Sequence, residues 1–354
     1  MTTHPLPEPL PRTELSRGFT VSALGFGCMA LSHVYGPTDP DEAVRTLHAA
    51  IDLGVAFLDT ADVYGQPHTD ANGEPIPGPA GTNEELLARV LKDRRDEVQL
   101  ATKFGITGRI GPDGSTGTRG DAAYVREACD ASLRRLGVET IDLYYMHRRE
   151  LDRPVEETVG AMAELVSAGK VRHLGLSEVT GDELRAAASV HPIAAVQSEW
   201  SLWSRDVEAK VVPAAAEVGA GFVPYSPLGR GFLTGTLDRG AVAATMLKGE
   251  PRFVEHFDAN QQAVDVIREV AARYGATPAQ IALAWLLAQG PRFGLGVVPI
   301  PGTRRSARVA ENAASVAVRL DEDDLSQLDA VADRVQGSRN LTFTSKGWIS
   351  ADRE

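Results

Sequence analysis

The sequence has 354 residues, of which 43% are hydrophobic, and its 48 acidic against 36 basic side chains give a formal net charge of -12. Such a chain can bury a large core, whereas its acidic surface would repel nucleic acids and anionic membranes. Two cysteines are too few for a disulfide framework or a thiolate metal cluster. We therefore expect a cytoplasmic protein whose partner is a small molecule.

The beginning of the chain is rich in proline, and residues 1–11 are predicted to be a flexible extension of one domain that spans 1–354. This stretch lacks the apolar region of a signal peptide, and no later run reaches the roughly 18 apolar residues of a membrane span. The following segment, TELSRGFTVS, predicts a hairpin that turns at Ser16 to Gly18.

Short β-type runs then alternate with longer segments of helical period, which is the pattern of βαβ units. Eight repeats predict a TIM barrel, (β/α)₈, capped by the N-terminal hairpin and by an additional C-terminal helix in DEDDLSQLDAVADRV. The strands are predicted at Leu24 to Cys28, Ala56 to Asp59, Val98 to Lys103, Ile141 to Met146, Val171 to Leu176, Ala194 to Ser198, Gly221 to Tyr225 and Gly296 to Ile300. The predicted helices include Asp41 to Leu53, Asn83 to Leu91, Ala122 to Leu136, Val155 to Ala168, Gly181 to Val190 and Ala276 to Ala288.

The segment GFGCMA, Gly25 to Ala30, matches the dinucleotide fingerprint G-x-G-x-x-G/A after a predicted strand. That fingerprint requires a helix that opens at the glycines and receives the pyrophosphate. Gly36, Pro37 and Pro40 follow instead and oppose a helix that starts at Gly27, so we favour strand and turn over a Rossmann fold. The sequence also lacks HExxH, Walker A, GxSxG and zinc-type spacings, so no metal is predicted.

Polar side chains follow three neighbouring predicted strands. Asp59 ends the second strand with Tyr64 just beyond it, Lys103 ends the third, and His147 follows the fourth. The carboxyl ends of barrel strands form the active face, so these four residues should converge. Each alone could be a turn cap, a rim aromatic, a solvated strand end or a core histidine. Together they would crowd a buried mouth with unpaired charge unless they share a site.

Seven segments carry a resemblance to a known family: FLDTADVYG, LATKFG, SLRRLGVETIDLYYMHR, GKVRHLGLSE, AVQSEWSLWSRD, FVPYSPLGRGFLTG and PIPGTRRSARVAENAAS. In this order, and over essentially the whole chain, they resemble the aldo-keto reductase superfamily. The resemblance implies a TIM barrel that transfers a hydride from a nicotinamide cofactor, usually NADPH, to aldehydes and ketones. It also implies a catalytic tetrad of Asp59, Tyr64, Lys103 and His147.

Physical chemistry agrees with these roles. A carbonyl that accepts hydride needs a proton donor, and a free tyrosine with a pKa of about 10 is a weak one at neutral pH. We expect the Lys103 ammonium to lower the pKa of Tyr64, with Asp59 holding Lys103 in place. His147 can donate a hydrogen bond to the substrate oxygen. Asp62 is expected in a turn or helix cap rather than in catalysis.

The resemblance further implies three groups of cofactor-binding residues. The nicotinamide group, in which the last residue stacks on the ring, comprises Ser177, Glu178, Gln197 and Tyr225. The pyrophosphate loop, residues 226–233, contributes Ser226, Leu228, Gly229, Gly231 and Leu233. The adenosine-phosphate group comprises Gly302, Thr303, Arg304, Arg308, Glu311 and Asn312.

Two positions depart from the pattern of the family. Glu178 replaces a common asparagine and offers only acceptors, and Gly302 replaces a lysine that often faces the 2′-phosphate of NADPH. Arg304 and Arg308 can still bind that phosphate as forks. NADPH is therefore the expected cofactor, with NADH as the alternative.

Two long segments, residues 66–81 after Tyr64 and 105–120 after Lys103, should lie at the active mouth. In them, His68, Asp70 and Arg109 are candidates for substrate contact, and a solvated rim is the alternative. Trp200 and Trp203 are predicted to wall an apolar pocket, with packing alone as the alternative. The sequence predicts no particular carbonyl compound.

Two other functional classes stay open. Some relatives in the superfamily, such as potassium-channel β subunits, bind the cofactor while they serve as regulators, and slow turnover with tight cofactor would favour that reading. Lys103 on a barrel strand could instead be the nucleophile of a Schiff-base aldolase.

Overall fold

The structure is a computed structural model that describes residues 9–32, 35–36, 38–109, 116–339, 341 and 347–354, with Arg109 described by its backbone alone. Seven parallel strands form one sheet in which each strand neighbours the preceding one, and two hairpins lie outside it. The strands are β1 (Arg12–Ser16), β2 (Phe19–Ser22), β3 (Gly25–Gly27), β4 (Phe57–Asp59), β5 (Gln99–Phe104), β6 (Ile106–Arg109), β7 (Thr116–Thr118), β8 (Ile141–Met146), β9 (Val171–Ser177), β10 (Ile193–Glu199) and β11 (Gly221–Tyr225).

The predicted eighth strand is not a regular strand, because prolines interrupt its hydrogen bonding. The N–H groups of Val298 and Ile300 donate to carbonyls of β11, and the carbonyls of Pro299 and Pro301 accept from β3. The two prolines have no N–H to return to β3, so the ladder on that side stays incomplete. Residues 296–301 nevertheless join both edges of the sheet, which makes the TIM-type barrel nearly closed.

The hairpin of β1 and β2 confirms the N-terminal prediction and seals the amino end of the barrel. Leu15 and Phe19 belong to the cluster of buried side chains inside the barrel. A Cβ at Gly221 would lie 2.6 Å from the Leu15 carbonyl oxygen, and one at Gly296 would lie 2.1 Å from that of Glu14. Only glycine allows the hairpin to approach this closely.

The structure confirms the six predicted helices, with ends that differ by up to five residues, and the additional C-terminal helix. The described residues also form helices α6, α7, α8 and α10, which were not predicted. The helices are α1 (Pro40–Asp52), α2 (Thr82–Arg94), α3 (Ala122–Leu136), α4 (Val155–Ser167), α5 (Gly181–Ala188), α6 (Val211–Val218), α7 (Arg239–Ala243), α8 (Phe257–Tyr274), α9 (Pro278–Phe293), α10 (Ser306–Ala313) and α11 (Glu322–Asp329).

Two local features can be read directly from these elements. A short 3₁₀ turn, Cys28–Leu31, follows β3, so the GFGCMA segment is the predicted strand and turn and opens no α-helix. In α3, the side chains of Val125, Cys129, Ser132 and Leu136 are buried and form one inward-facing stripe. Within the part of the chain described, no helix has the length and apolar character needed to cross a membrane.

Candidate active site

The ends of β4 and β5 bring an acid and a base together. Lys103 Nζ lies 2.5 Å from Asp59 Oδ1, and it also donates to the Thr60 carbonyl at 2.8 Å and to the Tyr64 hydroxyl at 3.3 Å. Burial alone would lower the pKa of Lys103, but Asp59 and Tyr64 outweigh burial and raise it above its usual value. The ammonium is therefore charged at neutral pH.

The turn after β4 positions Tyr64, and the start of α2 holds that turn. The Asn83 N–H donates to the Tyr64 carbonyl at 3.2 Å, and the Asn83 side chain accepts from the Thr60 hydroxyl at 2.6 Å. A Cβ at Gly65 would lie 1.9 Å from the Thr82 hydroxyl oxygen, and its φ is +110°, so glycine is required directly after the tyrosine.

Two opposing effects set the pKa of Tyr64. The Lys103 charge and its hydrogen bond lower this pKa, as the sequence analysis expects, but burial outweighs them and raises it above the usual value. Tyr64 is a protonated phenol at neutral pH, and Lys103 is placed to stabilise its phenolate.

His147 lies beside Tyr64 at the end of β8. The two rings meet edge to face with their centroids 5.6 Å apart. The backbone N–H of His147 donates to the Phe104 carbonyl at 2.7 Å. Burial, reinforced by the charges of Arg148 and Lys103, holds the pKa of His147 well below its usual value. A neutral imidazole keeps one N–H donor and cannot add a positive charge to the site.

Two further side chains support the four residues. Gln197 Nε2 donates to Asp59 Oδ2 at 2.8 Å, so the oxygen that Lys103 leaves free is also bound. Arg148, which the sequence analysis did not single out, donates to the His147 carbonyl at 2.7 Å and to Ser177 Oγ at 3.0 Å. The sequence signal that could have identified Arg148 is its position directly after His147, at the end of a strand.

One cavity of about 1060 Å³ contains the catalytic candidates and most of the cofactor candidates. Asp59, Tyr64 and His147 line it, and Lys103 lies buried behind them. The predicted cofactor residues that line it are Ser177, Gln197, Tyr225, Ser226, Leu228, Gly231, Gly302, Thr303, Arg304, Arg308, Glu311 and Asn312. Arg230 and Arg305, which were not predicted, line it as well.

Three predicted cofactor residues do not line this cavity. Leu233 packs in the hydrophobic core, and Gly229 supports the loop, since a Cβ there would lie 2.6 Å from the Trp203 indole. Glu178 is fully buried and makes other contacts. Burial alone would raise its pKa, but Arg339 lowers it to about 2, so the carboxylate is ionised.

Three non-glycine residues around the cavity have left-handed backbone conformations. The φ angles are +51° at Glu178, +49° at Ser226 and +55° at Arg230. Such conformations cost about 1–3 kcal/mol each and concentrate at functional sites. Arg230 Nη2 also lies 3.4 Å from Glu199 Oε2, which anchors the strained loop to the end of β10.

For Trp200 the alternative of packing alone is the one that holds, whereas Trp203 lines a second, smaller cavity of about 370 Å³. Trp200 packs edge to face against Phe222 and donates its N–H to Glu208, and Trp203 stacks on Phe232. Neither lines the larger cavity of about 1060 Å³. Its apolar lining from the C-terminal part of the chain comes from Leu341, Trp348 and Ile349, which no local pattern had pointed to.

Two of the three substrate-contact candidates in the long segments 66–81 and 105–120 can be placed. His68 and Asp70 are exposed; His68 lies 3.1 Å from Glu85, and Asp70 accepts backbone N–H groups of its own turn. Neither lines the cavity, which agrees with a solvated rim. The side chain of Arg109 and residues 110–115 lie outside the described residues.

Asp62 lies in the turn after β4, which is one of the two expected placements, and its side chain is buried. Among the described residues its two carboxyl oxygens have no hydrogen-bond partner. Burial and the nearby Glu84 raise its pKa well above the usual value.

Comparison with known proteins assigns the chain and its fold to one family. The model of the aldo/keto reductase family matches residues 23–333. A probable aldo-keto reductase 1 of Glycine max is 45% identical over 320 residues, which cover 88% of this chain and 86% of the relative. The chain belongs to the aldo/keto reductase family. The resemblance seen in the sequence is therefore confirmed, and the protein is an oxidoreductase of a family that reduces small carbonyl compounds with NAD(P)H.

Solved structures of aldo-keto reductases share this fold. A glycerol dehydrogenase from Gluconobacter oxydans is 27% identical, with a TM-score of 0.78 over 94% of this chain and 99% of that one. A thermostable aldo-keto reductase in complex with the inhibitor epalrestat is 28% identical, with a TM-score of 0.68 over 91% and 99% of the two chains.

Proposed function

We propose that this aldo-keto reductase reduces an aldehyde or ketone in the cytoplasm with NADPH, and that Tyr64 is the general acid. The arrangement of Lys103, Tyr64 and His147 at one cavity supports the proposal. It combines a proton donor, a cation beside that donor and a neutral hydrogen-bond donor, which are the groups that a developing alkoxide needs.

The other cavity residues fit a phosphorylated dinucleotide. Arg304, Arg305 and Arg308 line the cavity around the start of α10, where guanidinium groups and helix N–H groups suit phosphate. Gly231 and Gly302 leave the backbone accessible without a side chain. Tyr225 offers an aromatic face, and Ser177 offers a hydroxyl. When it is bound, the reduced nicotinamide supplies the hydride.

The residues of the chain then complete the reduction. Tyr64 and His147 hold the carbonyl oxygen of the substrate, and Tyr64 donates its proton as negative charge grows on that oxygen. The nearby Lys103 ammonium stabilises the phenolate that remains, and Asp59 and Gln197 keep Lys103 in position. Because His147 is neutral, it orients the substrate without competing as the acid.

NADPH is proposed over NADH because Arg304, Arg305 and Arg308 surround one part of the cavity. The lysine that the family often uses has no room here. A Cβ at Gly302 would lie 2.5 Å from the Gly27 carbonyl oxygen and 2.8 Å from the Ala30 Cβ. The arginines therefore take over the recognition of the 2′-phosphate.

Lys103 argues against the aldolase alternative. A Schiff base needs a neutral amine that the substrate can reach, whereas Lys103 is fully buried and its pKa is raised by Asp59 and Tyr64. The meeting of the four catalytic candidates at one cavity also weighs against a purely regulatory protein. Both points favour carbonyl reduction.

The test is a panel of aldehydes and ketones in which the loss of NADPH absorbance is followed. We expect turnover with at least one carbonyl compound and no borohydride-trapped adduct at Lys103 in the mass spectrum. Tight NADPH binding without turnover on any compound would favour the regulatory alternative. A trapped adduct at Lys103 would favour the aldolase.

A further inference from the structure

Glu178 forms a buried ion pair with a residue far along the chain. Its two oxygens accept from Arg339 Nη1 at 3.0 Å and Nη2 at 3.1 Å, and the two side chains are 0% and 6% exposed. This is the fork geometry that guanidinium and carboxylate favour. Ser350 adds its backbone N–H at 2.9 Å and its hydroxyl at 3.2 Å to Oε2.

The remaining acceptor positions of Glu178 are also used. Oε1 accepts from the Tyr225 hydroxyl at 2.7 Å and from the Glu199 N–H at 3.2 Å. A carboxylate has about four lone-pair sites, and six donors already converge on this one. Glu178 therefore has no free acceptor for the nicotinamide carboxamide.

The backbone of the same residue holds the end of the chain. Arg353 Nη2 donates to the Glu178 carbonyl at 2.6 Å and to Glu183 Oε2 at 2.8 Å. Arg339 also pairs with Asp206 at 3.0 Å. Two arginines and Ser350 thus attach the C-terminal part of the chain to the region directly after β9.

This attachment flanks the apolar wall of the cavity. The C-terminal wall consists of Leu341, Trp348 and Ile349, which line the same cavity as Tyr64 and His147. Leu341 is two residues from Arg339, and Ile349 is adjacent to Ser350. Movement at the ion pair would therefore be transmitted to the wall over one or two residues.

We propose that Glu178 is a positioning residue for the substrate pocket and that its ion pair with Arg339 holds the C-terminal wall over the catalytic groups. The left-handed backbone of Glu178, at φ +51°, fits this role, because strain persists where surrounding contacts fix it. The expected change in the KM of the substrate rests on the proposed carbonyl reduction, whereas the expected exposure of the C-terminal wall does not.

Tryptophan fluorescence tests the wall without substrate or cofactor. Trp200, Trp203 and Trp285 are buried, whereas Trp348 is half-buried, so quenching by acrylamide reports mainly on Trp348. Breaking a buried pair leaves an uncompensated charge. We expect Glu178→Gln and Arg339→Met each to raise the quenching constant by about twofold, because a released wall exposes Trp348.

Two controls accompany this measurement. Adding Trp348→Phe should abolish the increase in either background. Asp142, on β8, is another buried carboxylate, and it pairs with Arg95 and Arg172. Asp142→Asn removes its charge and should leave quenching unchanged. Arg339→Lys keeps the charge but not the fork, so it provides a milder variant if Arg339→Met does not fold. Unchanged quenching in Glu178→Gln and Arg339→Lys would overturn the proposal.

Kinetics separate a substrate role from a cofactor role. Glu178→Gln and Arg339→Met should each raise the KM of an aromatic aldehyde about tenfold, with the Kd of NADPH within about twofold of its original value. The double variant should be no worse than either single variant, since both remove one interaction. A tenfold loss of NADPH affinity in Glu178→Gln alone, with normal quenching, would show instead that Glu178 binds the cofactor.

Discussion

Lys103 and Asp59 form an ion pair of 2.5 Å in which neither side chain is more than 3% exposed. Two charges at this depth lose their hydration, and they are tolerated only because each is bound by several partners. Lys103 has three acceptors, and Asp59 also accepts from Gln197. The pair fixes a positive charge 3.3 Å from the Tyr64 hydroxyl, where the proposed reaction leaves a phenolate.

The first prediction concerns the stability of this pair. Lys103→Met leaves Asp59 as a buried, uncompensated charge, so we expect the free energy of unfolding to fall by about 3–5 kcal/mol. Lys103→Met combined with Asp59→Asn should recover most of that loss, although turnover stays abolished. Urea unfolding measures both effects. A double variant as unstable as the single one would contradict the account of the pair.

The second prediction concerns pH. The pKa of His147 lies well below its usual value through burial, and that of Tyr64 lies above its usual value for the same reason. The active form therefore has neutral His147 and protonated Tyr64 across the neutral range. We expect kcat/KM to be flat from about pH 6.5 to about pH 9 and to fall as Tyr64 loses its proton at higher pH.

A profile of kcat/KM against pH, measured with saturating NADPH, checks that activity falls on the alkaline side and not on the acid side. His147→Gln keeps a neutral hydrogen-bond donor, so it should lower the rate without changing the shape of the profile. An acid limb near pH 6.5 that disappears in His147→Gln would show that the imidazole titrates during catalysis.

The barrel and the convergence of the four catalytic candidates could be predicted because they follow from strand order. Asp59, Lys103 and His147 each lie at or just after a strand end, and neighbouring parallel strands bring such residues together. The lowering effect of Lys103 on the pKa of Tyr64 could be predicted, whereas the larger effect of burial could not, since it depends on how deeply Tyr64 is buried. Prolines at 299 and 301 explain why the last strand is irregular.

The pocket wall could not be predicted for a different reason. Trp348 lines the cavity, and the nearby ion pair between Arg339 and Glu178 joins residues that lie 161 positions apart. No local period reports such a contact. The role of Trp200 could not be decided because a tryptophan near a strand end suits a pocket wall and a helix-facing core equally well, and only the packing against Phe222 distinguishes them.

The third prediction concerns cofactor choice. Arg308→Ala removes a cavity-lining guanidinium, so we expect the KM for NADPH to rise at least about tenfold while that for NADH changes by less than about twofold. Arg126→Ala, which removes a surface pair with Glu164 away from the cavity, is the matched control and should change neither value. Equal losses for NADPH and NADH would refute a 2′-phosphate site at Arg308.

The fourth prediction concerns Gly302. A lysine at position 302, which the family pattern often has, should not strengthen NADPH binding in this protein. The new Cβ would lie 2.5 Å from the Gly27 carbonyl oxygen, which belongs to the rigid strand β3. We expect Gly302→Lys to lower the melting temperature and to weaken NADPH binding by fluorescence titration. Tighter binding with an unchanged melting temperature would contradict the crowding that we describe.

In the proposed reaction Tyr64 donates the proton to the substrate oxygen. Tyr64→Phe keeps the ring against His147 and removes only the hydroxyl, so cofactor binding should persist while the alkoxide loses its acid. The decisive measurement is single-turnover oxidation of bound NADPH by an aldehyde at neutral pH, with the Kd of NADPH measured in parallel. We predict a rate lowered by about a hundredfold or more and a Kd within about twofold of its original value. A near-normal rate in a folded, NADPH-binding Tyr64→Phe variant would contradict the proposed role.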